Sequence, residues 1–498
     1  MGERIAKGAA LLTFGSLLSL FLSALGSIVV ARELGPAQYG LVTIAMILPN
    51  LLFVLLDLGL TAALVRYTSL GRSDVVGTAL ALRTLIALLG GLANFLLAPL
   101  FVALIGRPEL TEAVRLLSIF TTTHLLFSTA NYILVGMGRY GESVLAGVLF
   151  TTLKVTLAIA LVLSGYGVLG ALLAHVISGL LVHLSTFGRA LLLLRSLRFS
   201  PPALRELFAY SIPLYLPSLI GAPLGQIYYA FMASVSSNEE VGNLSVAYNF
   251  LAPLNALGGA LSASVLSVLP SLASQERERA VRNVLRLTSL LLPSLSLGLV
   301  LLSEPAVKLL YGEKYQLAPL FLSAYLLGYL LTPLGSLLWH SYFASIGKST
   351  VILRASIVQN LIGAPLYLGL TYSAGALGFV VAGILSGALS TLYMLRAADI
   401  SAGIEDNLRA MSPSLLSFTA SMPFLFLLDG PLSWALAASF YALVLSLTVP
   451  VLVGEGALRG LDRALSRIWL IGPFLSLLTS VDIWIASKVW GLEEEGGS

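Results

Sequence analysis

The chain has no cysteine in its 498 residues, so it can build neither a disulfide frame nor a thiolate metal site. Charge is scarce too: Asp, Glu, Lys and Arg make up 10% of the residues, against roughly 25% in soluble domains. Only four histidines occur, His124, His175, His183 and His340, and their spacing along the sequence matches no metal-ligand pattern. No Gly-x-x-x-x-Gly-Lys-Ser/Thr loop is present to cradle a nucleoside triphosphate. The polar connections are too short to hold a separate catalytic domain. No cofactor, no metal and no enzymatic activity are therefore expected. The net charge of +4 suits anchoring at a membrane surface rather than nucleic-acid binding.

Apolar sequence fills the chain instead. Hydrophobic residues reach 57%, and they come in non-alternating runs of roughly 20 residues or more. Inside hydrocarbon only a helix or a closed barrel satisfies its own backbone, and unbroken apolar runs point to helices. The expected fold class is all-α integral membrane, with about 14 transmembrane helices. The spans fall near 9–31, 39–65, 75–105, 112–136, 142–164, 167–190, 207–234, 241–270, 284–304, 316–345, 349–371, 375–396, 412–428 and 432–453. Arg4 and Lys7 before the first run give it the look of a signal peptide, but the run extends to Ala31, too long for a cleaved core, and it reads as the first span. With the N-terminus inside, most Lys and Arg fall in alternate links: Arg66 and Arg72, Arg139, Arg189 to Arg205, Arg277 to Arg286, Lys348, and Arg396 and Arg409. The opposite links hold few. That asymmetry predicts a multi-pass protein of the cell membrane with both termini cytoplasmic.

Three sequence pairs recur in order in the two halves. Ala31 to Gly40 (ARELGPAQYG) aligns with Ala233 to Gly242 (ASVSSNEEVG), Gly138-Arg139 with Gly347-Lys348, and Gly167 to Ala174 (GVLGALLA) with Gly375 to Ala382 (GALGFVVA). These predict two six-helix lobes of parallel topology. The domain plan is an N-lobe at 1–194, a basic Pro-containing linker at 195–206, a C-lobe at 207–398, two extra spans within 399–454, and a tail at 455–498. Trp469, Trp484 and Trp490 mark the tail as an interfacial helix ahead of an acidic end.

ARELGPAQYG after the first span, GLTAALVRY (Gly59 to Tyr67) in the second and LLYGEKYQLAPLFL (Leu309 to Leu322) between the ninth and tenth carry a likeness to a known family. The chain resembles the polysaccharide transporter family, the Wzx-type lipid-linked oligosaccharide flippases of the multidrug/oligosaccharidyl-lipid/polysaccharide (MOP) superfamily, related to the MurJ and MATE transporters. The resemblance implies a V-shaped pair of lobes. It also implies a polyprenyl- or dolichyl-(pyro)phosphate-linked oligosaccharide as the cargo, moved by alternating access within membrane lipid for cell-surface polysaccharide or glycoprotein biosynthesis. A coupling cation or proton is an open partner, no nucleic acid is involved, and the protein is read as a monomer. The sequence departs at Gln226, where many relatives carry an Asp midway along the seventh span, so no role of that carboxylate transfers. The alternative is a MATE-like cation-coupled multidrug exporter, whose cavity should hold carboxylates.

A phosphorylated headgroup crossing ~30 Å of hydrocarbon needs a hydrated, cationic lining, so basic residues inside spans are the first candidates. Lys154 lies too deep in the fifth span to reach either surface, and is read as a cavity contact or a structural partner within the lobe. Arg83 and Asp57 sit at similar depth in the third and second spans, either as a structural ion pair or as a cavity cation with its modulating acid. Arg32 closes the first span at the outer surface, and Arg354 lies early in the eleventh. His124 and His175 read as buried histidines or polar cavity groups. Pro213, Pro217 and Pro223 in the seventh span suggest a bending gate.

Overall fold

The computed structural model describes residues 2–194, 198–398, 403–427 and 430–453; among these there are helices, turns and no strand. The tail at 455–498 and residues 195–197 of the linker lie outside the described residues. Six helical stretches are long and apolar enough to cross a bilayer: 10–55, 73–105, 140–193, 274–301, 349–397 and 431–453. Two bent pairs, within 201–235 and 318–345, raise that number to eight. Three of the long stretches carry sharp breaks where the sequence places links between spans. These are Gly35 ahead of Pro36, Gly165 with Gly167, and Ala374 with Gly375.

The chain folds as two compact units. The first comprises residues 1–249, 310–317 and 359–382. It holds α1 (Gly2–Ala45), α2 (Ile47–Leu55), α3 (Leu60–Ser69), α4 (Ser73–Ile105), α5 (Thr111–Gly136), α6 (Tyr140–Leu161), α7 (Gly167–Ser178), α8 (Leu184–Leu193) and α9 (Pro201–Val235), with the start of α10 (Asn238–Val268). Residues 201–206, expected as linker, are the first turns of α9, where Pro201 and Pro202 lack N–H groups that a helix start would leave unpaired anyway. Ser237 and Glu240 cap α10 reciprocally, the Ser237 N–H donating to Glu240 Oε2 (2.9 Å) and the Glu240 N–H to Ser237 Oγ (3.1 Å). Polarity is inverted relative to a soluble helix. α4 exposes Leu85, Leu88, Leu92, Leu96, Leu100 and Leu104 along one stripe and buries Thr78, Arg83 and Asn94. The stripe faces lipid, while the buried amide of Asn94 donates to the Val114 carbonyl of α5 at 2.7 Å.

Within this unit the repeated segments meet as equivalents. A methyl added at Gly40 would fall on the carbonyl of Asn238, and one added at Gly242 on the carbonyl of Pro36. The interval from Gly40 to Gly242 is the interval from Pro36 to Asn238, so the two contacts are one contact seen from both sides. The same interval relates Thr43 to Ser245, whose hydroxyls lie 3.0 Å apart; Thr43 donates to the carbonyl one turn back, Tyr39 O, and Ser245 has both Thr43 Oγ1 and its own carbonyl one turn back, Val241 O, within reach of its hydrogen. Only glycine permits such backbone approach. Gly167 (φ 53°, ψ −134°) and Gly375 (φ 55°, ψ −134°) share a backbone conformation nearly closed to other residues, and face Gln38 and Glu240. Gly167→Ala or Gly375→Ala is expected to cost about 1–3 kcal/mol each, measured as earlier thermal unfolding in detergent. Unchanged unfolding would show that the conformation is not held.

The second unit, 250–309, 318–358 and 383 onward, contains α11 (Ser274–Leu301), α12 (Ser303–Tyr311, in part), α13 (Ala318–Leu327), α14 (Trp339–Ser345), α15 (Ser349–Ile357), the end of α16 (Ala364–Ala397), α17 (Ile404–Leu427) and α18 (Pro431–Val453). Trp339, Tyr342 and Phe343 form its aromatic core. α17 and α18 pack on α11, and α18 is tied to it by hydrogen bonds: Tyr441 Oη donates to the Ser294 carbonyl at 2.7 Å and Arg286 Nη2 to the Val453 carbonyl at 2.6 Å. The span expected at 316–345 is broken by a 3₁₀ stretch, Gly328–Leu334, and bends by 44°.

Candidate functional site

The expected second span, 39–65, takes in the end of α1 and then α2 and α3, which part at Asp57, Leu58 and Gly59. Leu58 (φ 50°) and Gly59 (φ 69°) are both left-handed there. A break inside hydrocarbon frees carbonyls that must find donors. Arg83 supplies them. Its side chain is 1% exposed; Nη1 lies 3.3 Å from Leu56 O, Asp57 O and Asp57 Oδ1, Nη2 donates to Ser128 Oγ (2.7 Å) and Nε to Thr129 Oγ1 (3.1 Å). Tyr215 of α9 completes the set, with Oη 2.7 Å from Leu55 O and 3.2 Å from Val54 O. The other Asp57 oxygen accepts from the Gly59 N–H and Thr61 Oγ1, starting α3. The carboxylate is 31% exposed. In this arrangement Arg83 is a strut and Asp57 keeps the open edge. Arg83→Met should strip the break of its donors and cost about 3–5 kcal/mol, seen as a lower melting midpoint or lost expression. A Met variant as stable as the wild type would contradict the strut.

Lys154 lies on α6. That helix exposes Leu145, Leu149, Thr152, Thr156 and Ala160 on one side, and Lys154 points away from that stripe, half-buried, toward α5 and α7. Its ammonium sits 5.8 Å from the Phe150 ring centre, and no carboxylate lies within ion-pair distance among the described residues. The histidines, scattered along the sequence, converge here. His124 (α5), His175 (α7) and His183, at the end of the π-helical turn Gly179–His183, gather with Phe53, Phe120, Phe127 and Phe150. Among the described residues, no group of three His, Cys, Asp or Glu has the geometry to hold a metal ion.

Arg32 stands at the other expected location, beside the glycine crossing, exposed, with Nε close to Gly312. Next to it lies a hydroxyl network that the sequence did not reveal. Asn249 Nδ2 is 3.3 Å from Ser27 Oγ, 3.3 Å from Tyr311 Oη and 3.5 Å from Tyr39 Oη, and Tyr315 Oη donates to Ala31 O at 2.7 Å. Arg107 joins the same end, donating to Asn238 Oδ1 (2.5 Å) and Ser236 O (3.0 Å). Extending the ARELGPAQYG repeat by three residues would have found Thr43 and Ser245; Tyr311 falls in the LLYGEKYQLAPLFL motif, but nothing in the sequence joins it to Asn249. Arg354 is exposed in the last turn of α15 and belongs to the second unit. α9 bends by 54° between Pro201–Leu216 and Ser218–Val235; Pro213 is exposed and Pro223 buried, and the side chain of Pro217 lies outside the described residues. Gln226 is half-buried one turn beyond Pro223.

Residues 29–318 match the model of a family described as polysaccharide biosynthesis protein. The chain belongs to that family. A curated relative, the succinoglycan biosynthesis transport protein ExoT of Rhizobium meliloti (strain 1021), is 24% identical over 337 residues, covering 66% of this chain and 67% of its own. Among solved structures, the lipid II flippase MurJ in an inward closed conformation matches with a TM-score of 0.76 and 16% identity, over 89% of this chain and 98% of that one. An inward-facing multidrug resistance MATE transporter of the MOP superfamily matches at 0.61 and 19%, over 79% and 95%. The fold is that of the MOP transporters. This member of the polysaccharide biosynthesis family is a multi-pass membrane protein with that fold.

Proposed function

We propose that the protein carries a glycan linked to a polyprenyl phosphate or diphosphate across the cell membrane by alternating access between two lobes, residues 1–194 and 207–398. The observation that carries the reading is the paired crossing of Gly40 with Asn238 and of Gly242 with Pro36. Equivalent residues of two repeats touching each other support a pair of lobes related by an axis along the membrane normal. That contact, with Thr43 on Ser245 and the Asn249 hydroxyl network beside it, has to part for a bulky headgroup to pass at that end. The bend of α9 between its Pro201–Leu216 and Ser218–Val235 segments gives the swing a place to occur. Lys154, without a carboxylate partner among the described residues, suits an anionic headgroup better than a cationic drug. The names of the relatives, a succinoglycan transport protein and a lipid II flippase, support the same cargo class. Both termini are placed in the cytoplasm, α17 and α18 outside the repeat, and the working unit as a monomer.

The test is movement of a fluorescent polyprenyl-diphosphate oligosaccharide between leaflets of vesicles holding the purified protein, run beside efflux of a cationic dye. Glycolipid movement above empty vesicles with no dye efflux is expected. Dye efflux without glycolipid movement would make the protein a MATE-like exporter and end the proposal.

A further inference from the structure

We propose that His124, His175 and His183, with Lys154, form a proton-binding centre inside the first half of the chain, coupled to the transport cycle. Imidazole is the side chain whose ordinary titration lies near neutrality, and chains of such groups in membrane bundles mark proton pathways. Three of the four imidazoles of the whole sequence meet in this one place.

The geometry goes further than proximity. The His175 Nδ1 atom is 3.0 Å from the Ala171 carbonyl, which can only accept, so Nδ1 carries the hydrogen and neutral His175 presents Nε2 as a fixed lone pair. His183 is fully buried, and neither of its ring nitrogens has a hydrogen-bond partner among the described residues; Nδ1 of His124 is buried without one among them too. A phenylalanine would fill the His183 site without leaving polar atoms unmatched, so packing alone does not account for the residue. Three phenyl rings stand within cation–π range of it: Phe150 at 4.2 Å, Phe127 at 4.5 Å and Phe120 at 5.9 Å between ring centres. Such a cage stabilises an imidazolium through the ring faces. The π-helical turn that sets His183 interrupts an otherwise α-helical run, a distortion that recurs at functional positions.

The charged groups facing the cluster are few. Lys154 lies on α6 over the Phe150 ring that also flanks His183, and the Arg83–Asp57 pair stands one turn along α5 from His124, at Ser128. Two positive charges around one phenyl ring in a low-dielectric interior repel each other. A proton on the cluster and the ammonium of Lys154 therefore compete unless an anion neutralises Lys154. If the headgroup proposed above binds there, cargo and proton bind together, and by linkage each strengthens the other.

The first arm of the test does not rest on the flippase reading. The full-length protein, labelled with ¹⁵N only at histidine and held in phosphatidylethanolamine–phosphatidylglycerol vesicles, is followed by solid-state NMR between pH 5 and 9. The expected spectra show a neutral Nδ1–H tautomer for His175 at high pH and at least one cluster imidazole becoming protonated as pH falls, with His340, exposed in the second unit, titrating apart. Three imidazoles neutral throughout would overturn the proposal. The second arm imposes a pH gradient in the flipping assay. A rate that changes by up to about tenfold per pH unit, as for one coupled proton, and that loses this response in His183→Phe while His340→Phe keeps it, is expected. An indifferent wild type overturns the coupling. A protein that moves no glycolipid at all refutes the flippase reading and leaves the NMR result to decide the proton centre.

Discussion

A Thr43→Cys/Ser245→Cys double variant is expected to stop transport when oxidised and to recover when reduced. The two hydroxyls it replaces are 3.0 Å apart on equivalent turns of the repeated segments, within reach of a disulfide once both are sulfur. The chain has no native cysteine, so any disulfide within one molecule is this one. Gly40 and Gly242, one turn away on each side, already hold the two backbones at the closest approach that a glycine allows. A covalent tie here forbids separation of the two segments without filling any space elsewhere. Loss of nearly all glycolipid movement is expected in oxidised vesicles, with activity returning on addition of a reductant. Each single-cysteine variant should be insensitive to oxidant. Cross-linked protein, verified by mass spectrometry, that moves glycolipid at the wild-type rate would show that this end does not open during transport.

The membrane-spanning nature, the helical class and the links at 32–38 and 165–166 were legible because hydrocarbon imposes one rule on composition and length, and glycine or proline marks the exceptions. The equivalence of Ala31–Gly40 with Ala233–Gly242 was legible too, since the segments are the same length with glycine at the same end. What the segments do to each other was not, because a reciprocal contact is a property of two backbones in space. The break at Asp57 escaped for a related reason. Leu58 carries no signal for a left-handed conformation, and the span around it is as apolar as its neighbours. Only Arg83, Tyr215 and Thr61, from three different places in the sequence, show that its freed groups are satisfied. The histidines illustrate the limit most plainly. His124 and His183 are far apart in the chain, yet their rings are 5.5 Å apart in space, brought together by α5 packing on the π-helical turn before α8.

Lys154→Glu should reduce glycolipid movement by about 100-fold, within the range expected when a buried charge contact with a ligand, worth roughly 2–5 kcal/mol, is lost. The residue stands on the sheltered side of α6, with Phe150 one turn before it and no acid in ion-pair distance among the described residues. A carboxylate there would repel a phosphate, and it would also give the neighbouring imidazoles an anion to pair with, so two consequences follow from one substitution. The headgroup contact fails, and the pH response of the histidine cluster changes with it. Lys154→Met separates them: it removes the attraction without adding repulsion, and should leave an intermediate rate. Lys154→Arg keeps the charge but exchanges a compact ammonium for a planar fork, so it should retain more activity than either. Each variant is compared at equal amounts of folded, membrane-inserted protein, since an interior substitution on α6 also touches the packing of α5 and α7. A Glu variant that moves glycolipid as fast as the wild type would take Lys154 out of the transport path and, with it, the electrostatic argument for an anionic cargo.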